Sequence, residues 1–97
     1  MARGIIGYLE IDLYLPGAAS LKEKRSMLKP LLSRMRNQFN VANAEIDHND
    51  VWQSAKVGIT TVSNSTSHCQ QMLRTILTWI EQEFPDLIIS GERIEIL

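Results

Sequence analysis

Several things are scarce in this chain, and each scarcity excludes something. There is one cysteine, Cys69, so no internal disulfide can form and the chain fits a reducing compartment. Cys69 lies in an apolar helical stripe, which predicts a buried, inert thiol. There are two histidines, His48 and His68. His48 has only loosely spaced carboxylates near it, Glu45, Asp47 and Asp50, and a metal site needs ligands of fixed number and spacing. His68 stands beside Ser65 and Ser67, but no neighbouring acid orients it for Ser-His hydrolysis. The glycines form no phosphate loop: Gly4-Ile5-Ile6-Gly7 leads into a strand pattern rather than a helix. No catalytic constellation stands out, and a non-enzymatic protein without cofactor or metal is expected. No apolar run is long enough to span a membrane, and no signal-peptide pattern opens the chain. A cytoplasmic location is expected.

Charge of one sign is also missing. Ten Lys and Arg against eleven Asp and Glu give a formal net charge of −1. No global field draws the chain to nucleic acid, so any such affinity must come from a local patch. The hydrophobic share of 44% and charged share of 22% are ordinary for a globular protein. A chain of 97 residues makes one domain, 1–97. It is long enough to bury roughly 65% of its unfolded surface without a metal or disulfide.

The patterns that are present give six elements. Ile5 to Leu15 alternates as a strand with one buried face, and Pro16-Gly17 ends it. Ser20 with Glu23 three residues on is a capping box: Ser20 should accept from the Glu23 amide, and Glu23 should reach back to the Ser20 amide. The helix that follows carries Leu21, Leu28, Leu31, Leu32, Met35 and Phe39 on one side and runs through Pro30 with a local kink expected. Val41 to Asp47 reads as a strand with Ala42, Ala44 and Ile46 on one face and Asn43, Glu45 and Asp47 on the other. His48-Asn49-Asp50 has turn chemistry. Ala55 to Val62 is a third strand, with Val57 and Ile59 inward. A serine-rich cap at 64–67 opens a second helix with Met72, Leu73, Ile76, Leu77, Trp79, Ile80 and Phe84 as its stripe, closed by Pro85. Leu87 to Leu97 reads as a last strand interrupted at Ser90-Gly91. The order β-α-β-β-α-β predicts an α+β, ferredoxin-like domain: a four-stranded antiparallel sheet with two helices on one face.

Two surfaces follow from this arrangement. Lys22, Arg25, Lys29 and Arg36 fall within an arc of about 60° over about 20 Å of the first helix, with Lys24 near the start. Such a basic stripe suits phosphate contacts. Lys22, Lys24, Arg25, Lys29 and Arg36 are the candidate nucleic-acid-binding residues. The open sheet face is expected to show Tyr8, Glu10, Asp12, Tyr14, Glu45, Asp47, Lys56, Arg93 and Glu95. Its carboxylates argue against base stacking of the kind used by RNA-recognition sheets. A mixed-charge face with tyrosines suits self-association or a protein partner instead. Trp52 reads first as core plugging the sheet edge and alternatively as an exposed anchor; Tyr8, Tyr14 and Trp52 are the candidate protein-interface residues.

Three segments carry a family resemblance: Ser20-Leu21-Lys22-Glu23-Lys24-Arg25-Ser26 with Leu28-Lys29; Ala44-Glu45 with Asp50, Trp52 and Gln53; and Val57-Gly58-Ile59 with Val62-Ser63-Asn64. In these the chain resembles the YlxP-like family of small bacterial proteins of unknown function. The resemblance implies a ferredoxin-like fold and a gene often found beside translation and ribosome-maturation genes, hence an accessory role there. The expected function is a binding module that docks on structured RNA or a ribosomal particle through the first helix. The alternative is a homo-oligomeric, for instance homodimeric, regulatory or ligand-binding domain paired through its sheet face.

Overall fold

The computed structural model describes residues 3–97. Six elements follow in order: β1 (Ile5–Tyr14), α1 (Leu21–Gln38), β2 (Ala42–Asp47), β3 (Ser54–Ser63), α2 (Thr66–Glu83) and β4 (Ile88–Ile96). The strands form one antiparallel sheet in the order β2-β3-β1-β4. This is the ferredoxin-like α+β arrangement that the element order implies.

Alternation in β1 and β3 decides which face is covered. Leu9, Ile11 and Leu13 of β1 and Ala55, Val57 and Ile59 of β3 are fully or almost fully buried. They join Leu28, Leu31 and Met35 of α1 and Leu73, Ile76 and Ile80 of α2 in one cluster. Gly7 lets α2 approach closely: a Cβ there would lie 3.2 Å from Leu73 Cδ1 and 3.3 Å from the Cβ of Cys69. Cys69 is itself buried, as its place in the α2 stripe predicts. The helices are joined to each other by an aromatic run. Phe39 and Phe84 each meet Trp79 edge-on, at centroid distances of 5.4 and 5.5 Å, and the Arg34 guanidinium lies 4.8 Å over Phe84.

The caps are sharply defined. Ser20 Oγ accepts from the Glu23 amide at 3.1 Å. Glu23 reaches back, but one residue further than a capping box requires: its Oε2 accepts from the Ala19 amide at 2.7 Å. The extended Ser20 backbone is compatible with this, and the reciprocal logic survives because both bonds satisfy amides next to the helix start. Ser65 caps α2 the same way, accepting from the His68 amide at 3.3 Å. Pro30 sits inside one unbroken α1. β4 is likewise one strand, and the interruption expected at Ser90-Gly91 is a bulge: Asp12 pairs with Gly91 and Leu13 with Ile89, which leaves Ser90 as the extra residue.

Strand β2 runs in the opposite phase to the one its apolar residues suggest. Ala42 pairs with Thr60 and Ala44 with Gly58, and both partners belong to the open face. Asn43 and Glu45 therefore point to the helix side. Asn43 Nδ2 donates to the Leu32 carbonyl at 3.0 Å, and Glu45 meets Lys24. α1 offers polar partners along this edge, and a shift of one residue exchanges the two faces of a strand. Ile46 stays on the open face, against Gly58. Asp47, past a register shift, pairs with Lys56.

The cap gives a direct check on the helix start. Ser20→Ala is expected to lower unfolding free energy by about 1 kcal/mol, measured by urea denaturation. A loss below about 0.5 kcal/mol would mean that the Glu23 bond to Ala19 alone holds the first turn.

Candidate nucleic-acid interface

α1 lies over the β2 edge of the sheet, and the seam between them is a groove of about 300 Å³. Leu28 and Leu32 form its apolar wall, Arg25, Lys29 and Arg36 its cationic rim, and Glu45 of β2 reaches it from the strand side. Lys22 continues the rim by one further turn, exposed to solvent. None of these four cations is in an ion pair among the described residues, whereas Lys24, Arg34, Lys56 and Arg93 all are. Arg36 Nη1 donates to Asn43 Oδ1 at 2.7 Å. This fixes the guanidinium at the far end of the groove and leaves most of its five N–H donors free.

Lys24 does not belong to this set. Its side chain is 1% exposed. The ammonium lies 2.7 Å from Glu45 Oε2 and donates to the His48 carbonyl. Geometry explains the misplacement: Lys24 lies about 160° round the helix from Lys22 at 100° per residue, on the stripe of Leu28, Leu31 and Met35. A cation held there cannot reach a phosphate outside. Glu45 Oε2 is buried, and its partner is the Lys24 ammonium at 2.7 Å; with three N–H donors the same ammonium also reaches the His48 carbonyl.

His48 has φ 65°, a left-handed conformation that histidine visits more readily than most residues. It turns the chain so that its carbonyl faces Lys24, and the same carbonyl accepts from the Val51 amide at 3.0 Å. Its role is backbone geometry. Among the described residues, no three His, Cys, Asp or Glu side chains come together as a metal site. The Ser65 hydroxyl beside His68 is engaged as a cap.

The three candidate interface aromatics are scattered. Tyr8 lies across Gly58, where a Cβ would come within 3.0 Å of its hydroxyl, and donates to Glu10 Oε2 at 2.8 Å. Burial, and then that bond, raise the Tyr8 pKa. The same bond is the main cause of a lowered Glu10 pKa, helped by Lys56 and Arg93. Lys56 is raised by its bond to Glu10 and by the Asp12 charge. Tyr8 is thus the lid of a charged cluster at the middle of the open face. Tyr14 is exposed at the far end of β1. Trp52 is 52% exposed in the β2–β3 connection, so it is not core.

Sequence reasoning missed the partners Asn43 and Glu45. The signal for Glu45 was the place of Lys24 in the apolar stripe, since a lysine there needs an acceptor across the interface.

The geometry defines a ferredoxin-like domain with a cation-rimmed groove on its β2 edge. Residues 6–93 match the family described as a protein of unknown function, DUF503, and the chain belongs to that family. It is 40% identical over 91 residues to the uncharacterized protein YlxP of Bacillus subtilis (strain 168), covering 94% of this chain and 98% of that protein. Among solved structures it is similar to the de novo designed protein Foldit4, with a TM-score of 0.56 at 11% identity, covering 98% of this chain and 97% of the other. It is also similar to a C-terminal segment of the alpha subunit of aIF2 from Pyrococcus abyssi, with a TM-score of 0.52 at 13% identity, covering 97% of this chain and 49% of the other. At these identities the structural likeness concerns the fold alone.

Breaking the buried pair should be far more damaging than removing it. Lys24→Ala is expected to destabilise by about 3 kcal/mol, because it leaves the Glu45 carboxylate uncompensated. The double variant Lys24→Met/Glu45→Gln is expected to recover more than half of that. Equilibrium denaturation of both variants decides it. A single-variant loss below about 1 kcal/mol would show that the Glu45 carboxylate turns to solvent once the ammonium is gone.

Proposed function

We propose that this chain is a cytoplasmic, non-catalytic binding module that docks on structured RNA or a ribosomal particle through the groove edge of α1. The observation that carries the reading is the row of four cations without ion-pair partners among the described residues, Lys22, Arg25, Lys29 and Arg36, on a protein of net charge −1. Of the cations elsewhere on the surface, Arg93 and Lys56 are engaged by Glu10 and Arg34 by Glu83, while Arg3 and Arg74 stand alone among the described residues, away from the row. An anionic backbone would thus find four of the unpaired cations aligned on one side of one helix. The row spans about 20 Å, several phosphates long, which suits a polymer better than a single small anion.

Salt dependence tests this reading. With about four phosphates neutralised, log K should fall against log salt with a slope near −3, at roughly 0.7 to 0.9 per contact. Lys22→Gln, Arg25→Gln, Lys29→Gln and Arg36→Gln combined should flatten the slope and leave the thermal midpoint nearly unchanged, since exposed charges add little stability. RNA affinity unaltered by the four changes would refute the reading.

A second reading, pairing of two copies through the open sheet face, has its own observation. Val62, Ile6 and Leu97 are side by side across β3, β1 and the end of β4, and Val62 and Leu97 are 66% and 67% exposed. Three large apolar side chains in one row are an unusual load for a free surface. Sedimentation should then show a dimer that Val62→Glu dissociates. A monomer at high protein concentration would remove this reading without any variant.

A further inference from the structure

We infer that the groove between α1 and β2 receives an unpaired base of the bound RNA, with the Glu45 carboxylate accepting from the amino group of that base. The inference rests on the RNA reading above and names what the groove itself recognises.

A site for phosphate alone would be positive throughout. This groove is not. Its rim is cationic through Arg25, Lys29 and Arg36, but the side chain reaching it from the strand is a carboxylate. Glu45 is held in place from behind, its Oε2 facing the buried Lys24 ammonium, and its side chain, 18% exposed, lines the groove. The Lys24 ammonium occupies Oε2, and since an ionised carboxylate has about four lone-pair positions, acceptor capacity is left over for a ligand. A phosphate at this point would be repelled, while a donor would be welcomed.

The occupant must therefore place negative charge on the rim and an N–H at the inner end, with an apolar face between. A nucleotide of a single strand has that order. Its phosphates meet Arg25, Lys29 and Arg36, its ring lies on Leu28 and Leu32, and its base edge meets Glu45. A groove of about 300 Å³ is at the lower end of the range for small-molecule clefts, roughly 300 to 1,000 Å³, which suits one base rather than a duplex. Unpaired bases are the ones whose Watson–Crick edges proteins read in RNA, and a carboxylate accepting from cytosine N4 is an established pairing. Cytosine offers that amino group. Uracil puts a carbonyl oxygen in its place, which the carboxylate repels.

Cytosine and uracil have nearly the same shape, so the pair isolates the amino group. Labelled oligocytidine and oligouridine of about ten nucleotides, within the usual site sizes of single-strand binders, would be titrated with the unaltered protein by fluorescence anisotropy at neutral pH and one salt concentration. Oligocytidine is expected to bind at least about fivefold more tightly, the lower end of what one good base contact provides. Equal affinity, or preference for oligouridine, overturns the inference, and if both strands then keep the slope near −3 the RNA reading survives it. Binding of neither RNA overturns both. In the double variant Lys24→Met/Glu45→Gln the preference should shrink below about twofold while the salt slope is retained, because the rim cations are untouched. A preference that persists in that variant, once it is shown folded by circular dichroism, assigns the selectivity elsewhere and also overturns the inference.

Discussion

The buried ammonium of Lys24 is the constraint on which the groove depends. A lysine stem is long enough to run through the apolar layer between α1 and the sheet, but its charge must end on an acceptor. Here it ends on two, the Glu45 carboxylate and the His48 carbonyl. The first belongs to an edge strand and the second to the turn after it. One side chain of α1 thereby ties the helix both to β2 in the phase that turns Glu45 inward and to the turn that opens the β2–β3 connection. Hydrophobic contact alone would not do this, because burial of apolar area is non-directional. β2 contributes no residue to the central cluster. Its attachment to α1 is polar, through Glu45 on Lys24 and Asn43 on the Leu32 carbonyl and Arg36.

That attachment separates the two surfaces of the domain. With Asn43 and Glu45 committed to the helix side, Ala42, Ala44 and Ile46 are left for the open face. There they border Tyr8 and Gly58 in a shallow apolar hollow. The middle of the same face is a closed set of charges: Glu10 takes Lys56 and Arg93 and a hydrogen bond from Tyr8, and Lys56 also meets Asp12. These charges compensate one another locally, so the open face projects little field. The α1 edge differs because its cations have no such neighbours among the described residues. The contrast between satisfied and unsatisfied charge, rather than the number of charges, distinguishes the two faces of a protein whose total is nearly neutral.

Much of this was legible in the sequence. The alternation of β1 and β3 and the apolar stripes of both helices place the central core, Ser20 marks the start of α1, and the serine-rich segment 64–67 brackets the start of α2. The Ser90 bulge was visible as a polar-glycine break in an apolar strand. What misled was β2, whose alanines and isoleucine suggest an inward face. Periodicity reports only where a strand changes polarity, not which side its neighbours need. The deciding residue lies 21 positions earlier, at Lys24, and the information is therefore tertiary. Trp52 misled for the opposite reason: tryptophan's bulk argues for burial, yet the turn fixed by His48 carries it outward. Lys24 itself was readable, since its angle on the helix differs from that of Lys22 by nearly half a turn. Grouping it with the other cations by adjacency in sequence ignored that angle.

The same angle explains why the basic groove can exist without weakening the fold. Moving from Lys22 round α1, the helix surface passes from exposed cations, through Leu32 and Leu28 at the groove wall, to the buried line of Lys24, Leu31 and Met35. Positive charge is therefore present on both margins of the apolar strip but serves opposite ends. On the inner margin it is neutralised by Glu45, in an environment where leaving it unpaired would be strongly unfavourable. On the outer margin it stays in water, where an unpaired cation has little effect on stability. Glu45 lies between them, close enough to the inner ammonium to be held in place and exposed enough on its other side to face the groove. The acceptor that stabilises the fold thus also gives the groove its one negative point, and a ligand must match that polarity as well as the cations around it.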